Sequence, residues 1–332
     1  MLRYSCCMSR PNRPLYKGDE IASSDALAEV LGLTSPQLHQ LAANASKMYR
    51  ENPQRKKDGS LRMTWDAHPQ LKKAQKQINL RIFGRILFPL YLQGSIRDRA
   101  YPRDYARNAN IHSGAAVTIA IDIQDFFPSI TPDQVLSAWL GVCHFPWQVA
   151  ELLTRLTTKD SFLPQGAPTS SYLANLVLWE NEHELVRTLQ TRGWHYSRLT
   201  DDITLSKKAP VEKDEITRTT CTAIGFIQRN GFTVKRSKLK VMKRNVPMTV
   251  NNLVINEHPA LPKAERRQIR AQLHQAKLAL ASGALVDAQA INSARGKVGK
   301  VVRFHPQLGA KMKGELDQEL DSWTVRQLND EG

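Results

Sequence analysis

The chain has 332 residues, with 47 Lys and Arg against 31 Asp and Glu, a formal net charge of +16 and a hydrophobic fraction of 41%. That composition supports real cores and favours a polyanionic partner, because neutralising phosphates releases counterions. No apolar run nears the ~18 residues of a membrane span, no signal-peptide core is present, and the cysteines at 6, 7, 143 and 221 lack zinc-like spacing, so spanning, secretion and a zinc centre are unsupported.

Residues 1–20 are basic, carry Pro11 and Pro14, and read as a loose arm. Ser23 to Arg50 reads as helical, with Ala26, Val30 and Leu31 on one stripe and Leu38 with Leu41 on another. Gly32 to Pro36 breaks the two, placing Ser35 at an N-cap and Pro36 at N1. The pair either packs on the rest of the chain or forms a helix-turn-helix. Residues 51–66 read as a hairpin turning at Asp58-Gly59, with Lys57 and Arg62 beside the turn. His68 to Leu92 carries Leu71, Ile78, Ile82, Ile86 and Leu90 at helical spacing and predicts one long helix. A basic loop follows, with Arg97, Arg99, Arg103 and Arg107. Asn108 and His112 are four apart and share one face of a helical turn.

Val117 to Ile121 alternates as a largely buried strand ending at Asp122. A carboxylate at the end of a buried strand is unfavourable unless it is paired or binds metal. Thr131 to Leu156 reads as helical. Leu163 to Asn175, LPQGAPTSSYLAN, is a Pro/Gly turn leading into a helix whose amides can face a phosphate or a base. Trp194 to Ser206, WHYSRLTDDITLS, reads as strand, tight turn, strand around Asp201-Asp202. Alone, that hairpin is a solvated acidic turn. With Asp122 on a neighbouring strand, it predicts two Mg²⁺ ions ~4 Å apart, the arrangement of polymerase-type phosphoryl transfer. Pro262 to Leu280 is a helix with Pro262 at N1 and Gly283 at C′, and Ile269, Leu273, Ala276 and Leu280 make its apolar stripe. Lys263, Arg267, Arg270, His274 and Lys277 form a basic stripe beside it, with Arg266 adjacent and Arg295 in a later basic run. Such a stripe is either a solvated face or a track for a nucleic-acid backbone.

IDIQDFF, LPQGAPTSS and the TDD hairpin, in that order, resemble the A, B and C motifs of reverse transcriptases. Asn108-Ala-Asn-Ile-His112 narrows the resemblance to the bacterial retron enzymes, over roughly Tyr49 to Met312. The resemblance implies catalytic metal ligands at Asp122, Asp201 and Asp202, with Asp201 the firmer of the last two. It implies that Phe127 lies under the deoxyribose and excludes a 2′-hydroxyl, unless it is core. It implies nucleotide contacts at Gln165 and Gly166, a triphosphate contact at Arg62, and a lysine near the triphosphate at Lys238, with Lys235 and Lys240 as alternatives. It implies a role for Asn108 and His112 in supporting template or structured RNA, with His112 not catalytic, and it makes the basic helix part of a thumb. The chain departs from the family where Leu199-Thr200 replaces the usual Tyr-x before the Asp pair, and where Asn251-Asn252 replaces Thr-Gly.

The expected fold is α+β, a right-hand polymerase with fingers, an antiparallel-sheet palm and a helical thumb. The expected divisions are 1–50 for the arm and helix pair, 51–115 for fingers, 116–257 for palm with part of the fingers interleaved, and 258–332 for thumb. The expected activity is RNA-directed DNA synthesis on the enzyme's own structured non-coding RNA, giving a branched RNA–DNA product. Expected partners are that RNA, its DNA product, dNTPs and a separate effector protein in phage defence, in the bacterial cytoplasm and away from membrane. The rivals are another bacterial reverse transcriptase and a non-catalytic RNA-binding scaffold.

Overall fold

The computed structural model of the chain describes residues 10–56, 59–282 and 288–330. Cys6, Cys7, the Lys57-Asp58 half of the expected turn and the Gly283 cap lie outside them. Two compact units divide the chain, one ending at His112 and resuming over Ala116–Lys243, the other holding Ser113–Ala115 and the residues from Arg244 onward.

The first unit begins with β1 (Leu15–Tyr16), α1 (Ser24–Leu31) and α2 (Ser35–Asn44). Part of the expected loose arm is therefore ordered, because β1 pairs with a later strand and Arg10 reaches Asp98 at 2.8 Å. The Ser23 hydroxyl caps α1, and Gly32 ends it at φ +67°. The N-cap of α2 is Thr34, one residue before Ser35, because Thr34 and Gln37 close a capping box. Two short ladders follow. β2 (Tyr49–Glu51) pairs with β5 (Trp65–Ala67), and between them β3 (Gln54–Arg55) pairs with β4 (Leu61–Arg62).

The helix expected to reach Leu92 is shorter. α3 (Pro69–Arg81) gives way to a 3-10 turn at Phe83–Arg85 and then β6 (Ile86–Leu87), which extends to pair with β1. Gly84 favours the break, and Leu90 is 46% exposed, so it is not on a buried stripe. α4 (Tyr105–Ile111) is capped by the Asp104 carboxylate. β7 (Val117–Asp122), α5 (Phe126–Ser129), α6 (Pro132–Cys143) and α7 (Trp147–Thr157) come next. The single stretch expected over 131–156 breaks at His144, whose φ is +55°, and at Pro146. α8 (Ser170–Leu176), α9 (Glu182–Thr191), β8 (His195–Leu199), β9 (Asp202–Lys207), α10 (Lys213–Arg229) and β10 (Lys240–Lys243) complete the unit.

β10, β7, β9 and β8 form one antiparallel sheet in that order. Its register sets two faces. Ile119, Ile121, Ile203, Leu205 and Tyr196 share the apolar face, and Arg198 alternates onto it. Thr118, Asp122, Asp202, Thr204, Ser206 and Ser197 share the polar face. One end of that face carries carboxylates and the other carries hydroxyls.

The second unit opens with β11 (Thr249–Val250) and β12 (Leu253–Val254), so this hairpin groups with the helices after it and not with the palm. Asn251 and Asn252 have φ of +49° and +63°, as a two-residue hairpin turn demands, and Asn tolerates that region. α11 (Lys263–Ala281), α12 (Ala288–Phe304) and α13 (Pro306–Asp330) follow, burying Ile269, Leu273, Val301, Met312 and Leu316. Pro262 is the N-cap of α11, one place earlier than N1. Among the described residues, no helix is long and apolar enough to cross a membrane.

Candidate active site

β7 and β9 run side by side until Asp122 faces Asp202 across the ladder, and Leu199 faces Asp202 from the other side. Thr200 and Asp201 are thus the whole connection between β8 and β9. Thr200 has φ +62°, a left-handed conformation that hairpins usually assign to Gly or Asn and that is unfavourable for a β-branched residue. The Asp201 carbonyl accepts the Ile123 amide at 3.0 Å, which ties the turn to the end of β7.

Asp122 is 5% exposed. Burial raises the Asp201 pKa, and the neighbouring Asp122 carboxylate adds to the rise, while Lys238 and Arg62 oppose it. Burial, then the charges of Asp201 and Asp122, push Asp202 up to about 7. Lys238, on a 3-10 turn, donates to Asp122 Oδ2 at 2.5 Å, and that bond raises the lysine's own pKa. Among the described residues, no three His, Cys, Asp or Glu side chains already surround an ion position. The donors are instead carboxylates at one half-buried tip. That set fits Mg²⁺, which keeps waters and takes one or two carboxylates plus substrate phosphates.

Two of the residues expected to meet the nucleotide, Lys238 and Arg62, act on this tip. Arg62, on exposed β4, acts electrostatically on Asp201. Lys238, and not Lys235 or Lys240, makes the ion pair with Asp122. Phe126 is 2% exposed and packs edge-on against Phe232 at 5.0 Å, so it fills the core. Phe127 is half-buried, with part of its ring outside that core. The Trp65 amide donates to the Gln165 carbonyl at 2.7 Å. Gly166 has φ +104°, and a Cβ there would stand 3.1 Å from the Trp65 carbonyl oxygen. At Gly166 the chain is therefore in close contact with its own β5.

Sequence reasoning missed what holds the turn from behind. Arg198 is fully buried, and its Nε and Nη2 reach Glu182 Oε1 and Oε2 at 2.6 and 2.8 Å. Its Nη1 donates to the carbonyls of Ala174 and Thr200, each at 3.0 Å, and its Nη2 donates to that of Asn175 at 3.0 Å. One guanidinium thus joins α8, α9 and the acidic turn. Gly94 backs the same turn, since a Cβ there would lie 2.5 Å from Thr200 Oγ1. The available signal was an arginine at an inward position of an alternating strand, two residues after Tyr196.

The expected nucleic-acid contacts at Asn108 and His112 are corrected. Both are buried, at 0% and 1% exposure. His112 Nδ1 lies 2.7 Å from Ser206 Oγ and its Nε2 lies 2.7 Å from Ser197 Oγ, so it spans the hydroxyl end of the polar face. Burial, aided by His195, pushes its pKa down to about 3, which keeps the ring neutral. Arg103 of the basic loop is also internal, with Nη2 on Asp98 at 3.1 Å and on the Phe88 carbonyl at 2.8 Å. In the second unit Lys263, Arg267, Arg270 and His274 are exposed along α11, as expected. Lys277 is paired with Glu315 at 3.2 Å, so its charge is already matched. Arg266 is partly buried, with Nε lacking a hydrogen-bond partner among the described residues, and Arg295 is on α12.

An antiparallel palm sheet, an aspartate pair at a hairpin tip and a third aspartate on the adjoining strand define a nucleotidyl-transferring polymerase. Residues 54–259 match the family described as reverse transcriptase (RNA-dependent DNA polymerase). The chain belongs to that family, and within it to the retron type. It is 32% identical to the retron Se72 reverse transcriptase of Salmonella heidelberg (strain 579083-10), over 78% of this chain and 69% of that one. It is 31% identical to the retron Ec48 reverse transcriptase of Escherichia coli, over 89% and 76%. It is 28% identical to the retron Mx162 reverse transcriptase of Myxococcus xanthus, over 78% and 59%. Right-hand architecture and RNA-directed DNA polymerase activity are properties of this family.

Proposed function

We propose that the chain copies its own structured non-coding RNA, starts from an internal guanosine 2′-hydroxyl, and leaves a branched RNA–DNA hybrid. The observation that carries this reading is the convergence of Asp122, Asp201 and Asp202 with Lys238 and Arg62 at one tip of the sheet. In each cycle a terminal hydroxyl oxygen bonds to the α-phosphorus of a dNTP, and the bond from that phosphorus to pyrophosphate breaks. Asp122 and Asp201, with Asp202 as accessory, would hold two Mg²⁺ ions, which lower the hydroxyl pKa and stabilise leaving charge. Lys238 can return a proton to the pyrophosphate, and Arg62 can hold the triphosphate. Gln165 and Gly166 would meet the incoming nucleotide and template. Phe127 would lie beneath the deoxyribose, where a 2′-hydroxyl clashes. In the second unit the exposed basic residues of α11 would follow a duplex backbone. The hybrid would act with a separate effector protein in phage defence.

The test is to sequence the nucleic acid that co-purifies with the protein from its native host, beside an Asp201→Asn variant. The wild type should carry a DNA strand joined to RNA through a 2′ branch. Asp201→Asn should carry the RNA alone, because an amide is a poor metal ligand and the RNA-binding surface is unchanged. A wild type that carries RNA but no DNA would end the proposal.

A further inference from the structure

A cavity of about 390 Å³ opens on the first unit, at the end of β8 opposite to the acidic turn. β8 runs from His195 to Leu199, so about 13 Å of strand separates it from that turn. The size falls within the range of small-ligand sites. Its wall is built from Pro89, Leu90, Tyr91, Val186 and Tyr196. Leu90 is exposed there, and the two tyrosine rings meet edge-on at 5.8 Å. This wall suits a flat ring.

Among the lining residues, Tyr91 Oη and His183 Nδ1 are both buried and lack a hydrogen-bond partner among the described residues. Such atoms are rare in folded proteins because each carries its full desolvation penalty. Burial, then the Glu182 carboxylate, raises the Tyr91 pKa, so its hydroxyl stays a donor. The other titratable side chains at the cavity are Arg10, Arg187, His183, His195 and Tyr196, none of them acidic. Tyr196 donates to Glu182 at 2.6 Å, and Arg10 is held by Asp98 at 2.8 Å. Arg187 has no ion-pair partner among the described residues and is exposed at the lip. A flat apolar slot, two buried hydrogen-bonding atoms and a free guanidinium match a base, its polar edge and its phosphate.

We propose that this cavity takes one unpaired nucleotide of a bound RNA strand, with the base against Tyr91 and Leu90 and the phosphate on Arg187. The inference rests on the reading that the chain engages RNA, but the site lies outside the catalytic tip and outside the basic helix of the second unit.

The experiment uses the full chain and a pentauridylate with 4-thiouridine at its centre, cross-linked by near-ultraviolet light and mapped by mass spectrometry. Cross-links should map to residues 89–92 and 183–196. Their yield should fall roughly tenfold in Arg187→Glu and a few-fold in Tyr91→Phe, as expected for removal of a charged partner and of one hydrogen bond. Extension of oligo(dT) on poly(rA) should stay within about twofold, since neither residue belongs to the acidic tip. Cross-links that map only elsewhere, or an unchanged yield in folded Arg187→Glu, would overturn the site. A parallel arm with 4-thiouridine monophosphate separates the sources. Weak labelling by the monophosphate supports the strand, and labelling equal to the pentamer would overturn it in favour of a free nucleotide. Failure of the wild type to extend oligo(dT) would count against the polymerase reading and leave the mapped cross-links to decide the cavity.

Discussion

Arg198 and Glu182 form a fully buried ion pair of two hydrogen bonds, 2.6 and 2.8 Å long, and the same guanidinium holds the Thr200 carbonyl of the acidic turn. Tyr196 adds a third contact to Glu182 at 2.6 Å. Removing one member leaves the other charged and unpaired in the interior, which costs about 3–5 kcal/mol. Arg198→Met and Glu182→Leu should each lose that much in urea unfolding, and the double variant should lose less than the sum of the two. Additive losses would show that the pair is not coupled. Arg198→Lys should also lower kcat more than it raises KM, because a lysine cannot span Glu182 and the Thr200 carbonyl together.

Phe127 should act as the sugar gate. Phe126 already fills the core beside Phe232, which leaves the Phe127 ring partly outside it. In Phe127→Val, the ratio of ribonucleotide to deoxyribonucleotide incorporation should rise roughly tenfold or more, since a steric exclusion is being relieved. Steady-state incorporation of each nucleotide checks this. An unchanged ratio in a folded variant would assign Phe127 to packing.

His112 makes stability depend on pH in a defined window. Its folded pKa is pushed down to about 3, chiefly by burial, while an unfolded histidine titrates near 6.5. Between those values the unfolded chain takes up a proton that the folded chain refuses, so stability is lost as pH falls from about 6.5 towards 3 and is unaffected by this group above 6.5. At pH 5 the loss should be about 2 kcal/mol, from 1.4 kcal/mol per pH unit. His112→Gln should lack that component, and urea midpoints at pH 7.5 and 5 for both proteins measure it. Equal pH dependence in the two would remove His112 as the cause.

The exposed cations of α11 should set the salt dependence of RNA binding. Arg267→Gln with Arg270→Gln should lower the slope of log affinity against log salt by roughly 0.7 to 0.9 for each phosphate no longer neutralised. Glutamine keeps helix propensity, so circular dichroism should be unchanged. Lys277→Gln should change the slope little, because Glu315 already matches that charge at 3.2 Å. A slope unmoved by the arginine pair would place the RNA on another surface.

The palm was legible because its signals are local and repeated. Val117, Ile119 and Ile121 alternate, as do Ile203 and Leu205, and Asp122, Asp201 and Asp202 interrupt that apolar pattern. The end of α3 was not legible, since Ile82 and Ile86 continue a helical spacing that the pairing of β6 with β1 overrides. His112 was misjudged for a related reason. Its neighbours in space, Ser197 and Ser206, are far away in sequence, and their spacing says nothing of a shared face until the register of β8 and β9 is known. Arg198 carries the same lesson with opposite sign, because the alternation places it inward while its partner on α9 is set only by the fold.

The bond from the Trp65 amide to the Gln165 carbonyl, with Gly166 pressed against β5, has a mechanical consequence. The hairpin that carries Arg62 and the turn that carries Gln165 are riveted together. In their proposed roles, the clamp on the triphosphate and the gauge of the new base pair shift as one part. Copying accuracy and appetite for nucleotide then become linked traits, and a substitution such as Gly166→Ala, which strains the φ of +104° and crowds this seam, would degrade both at once.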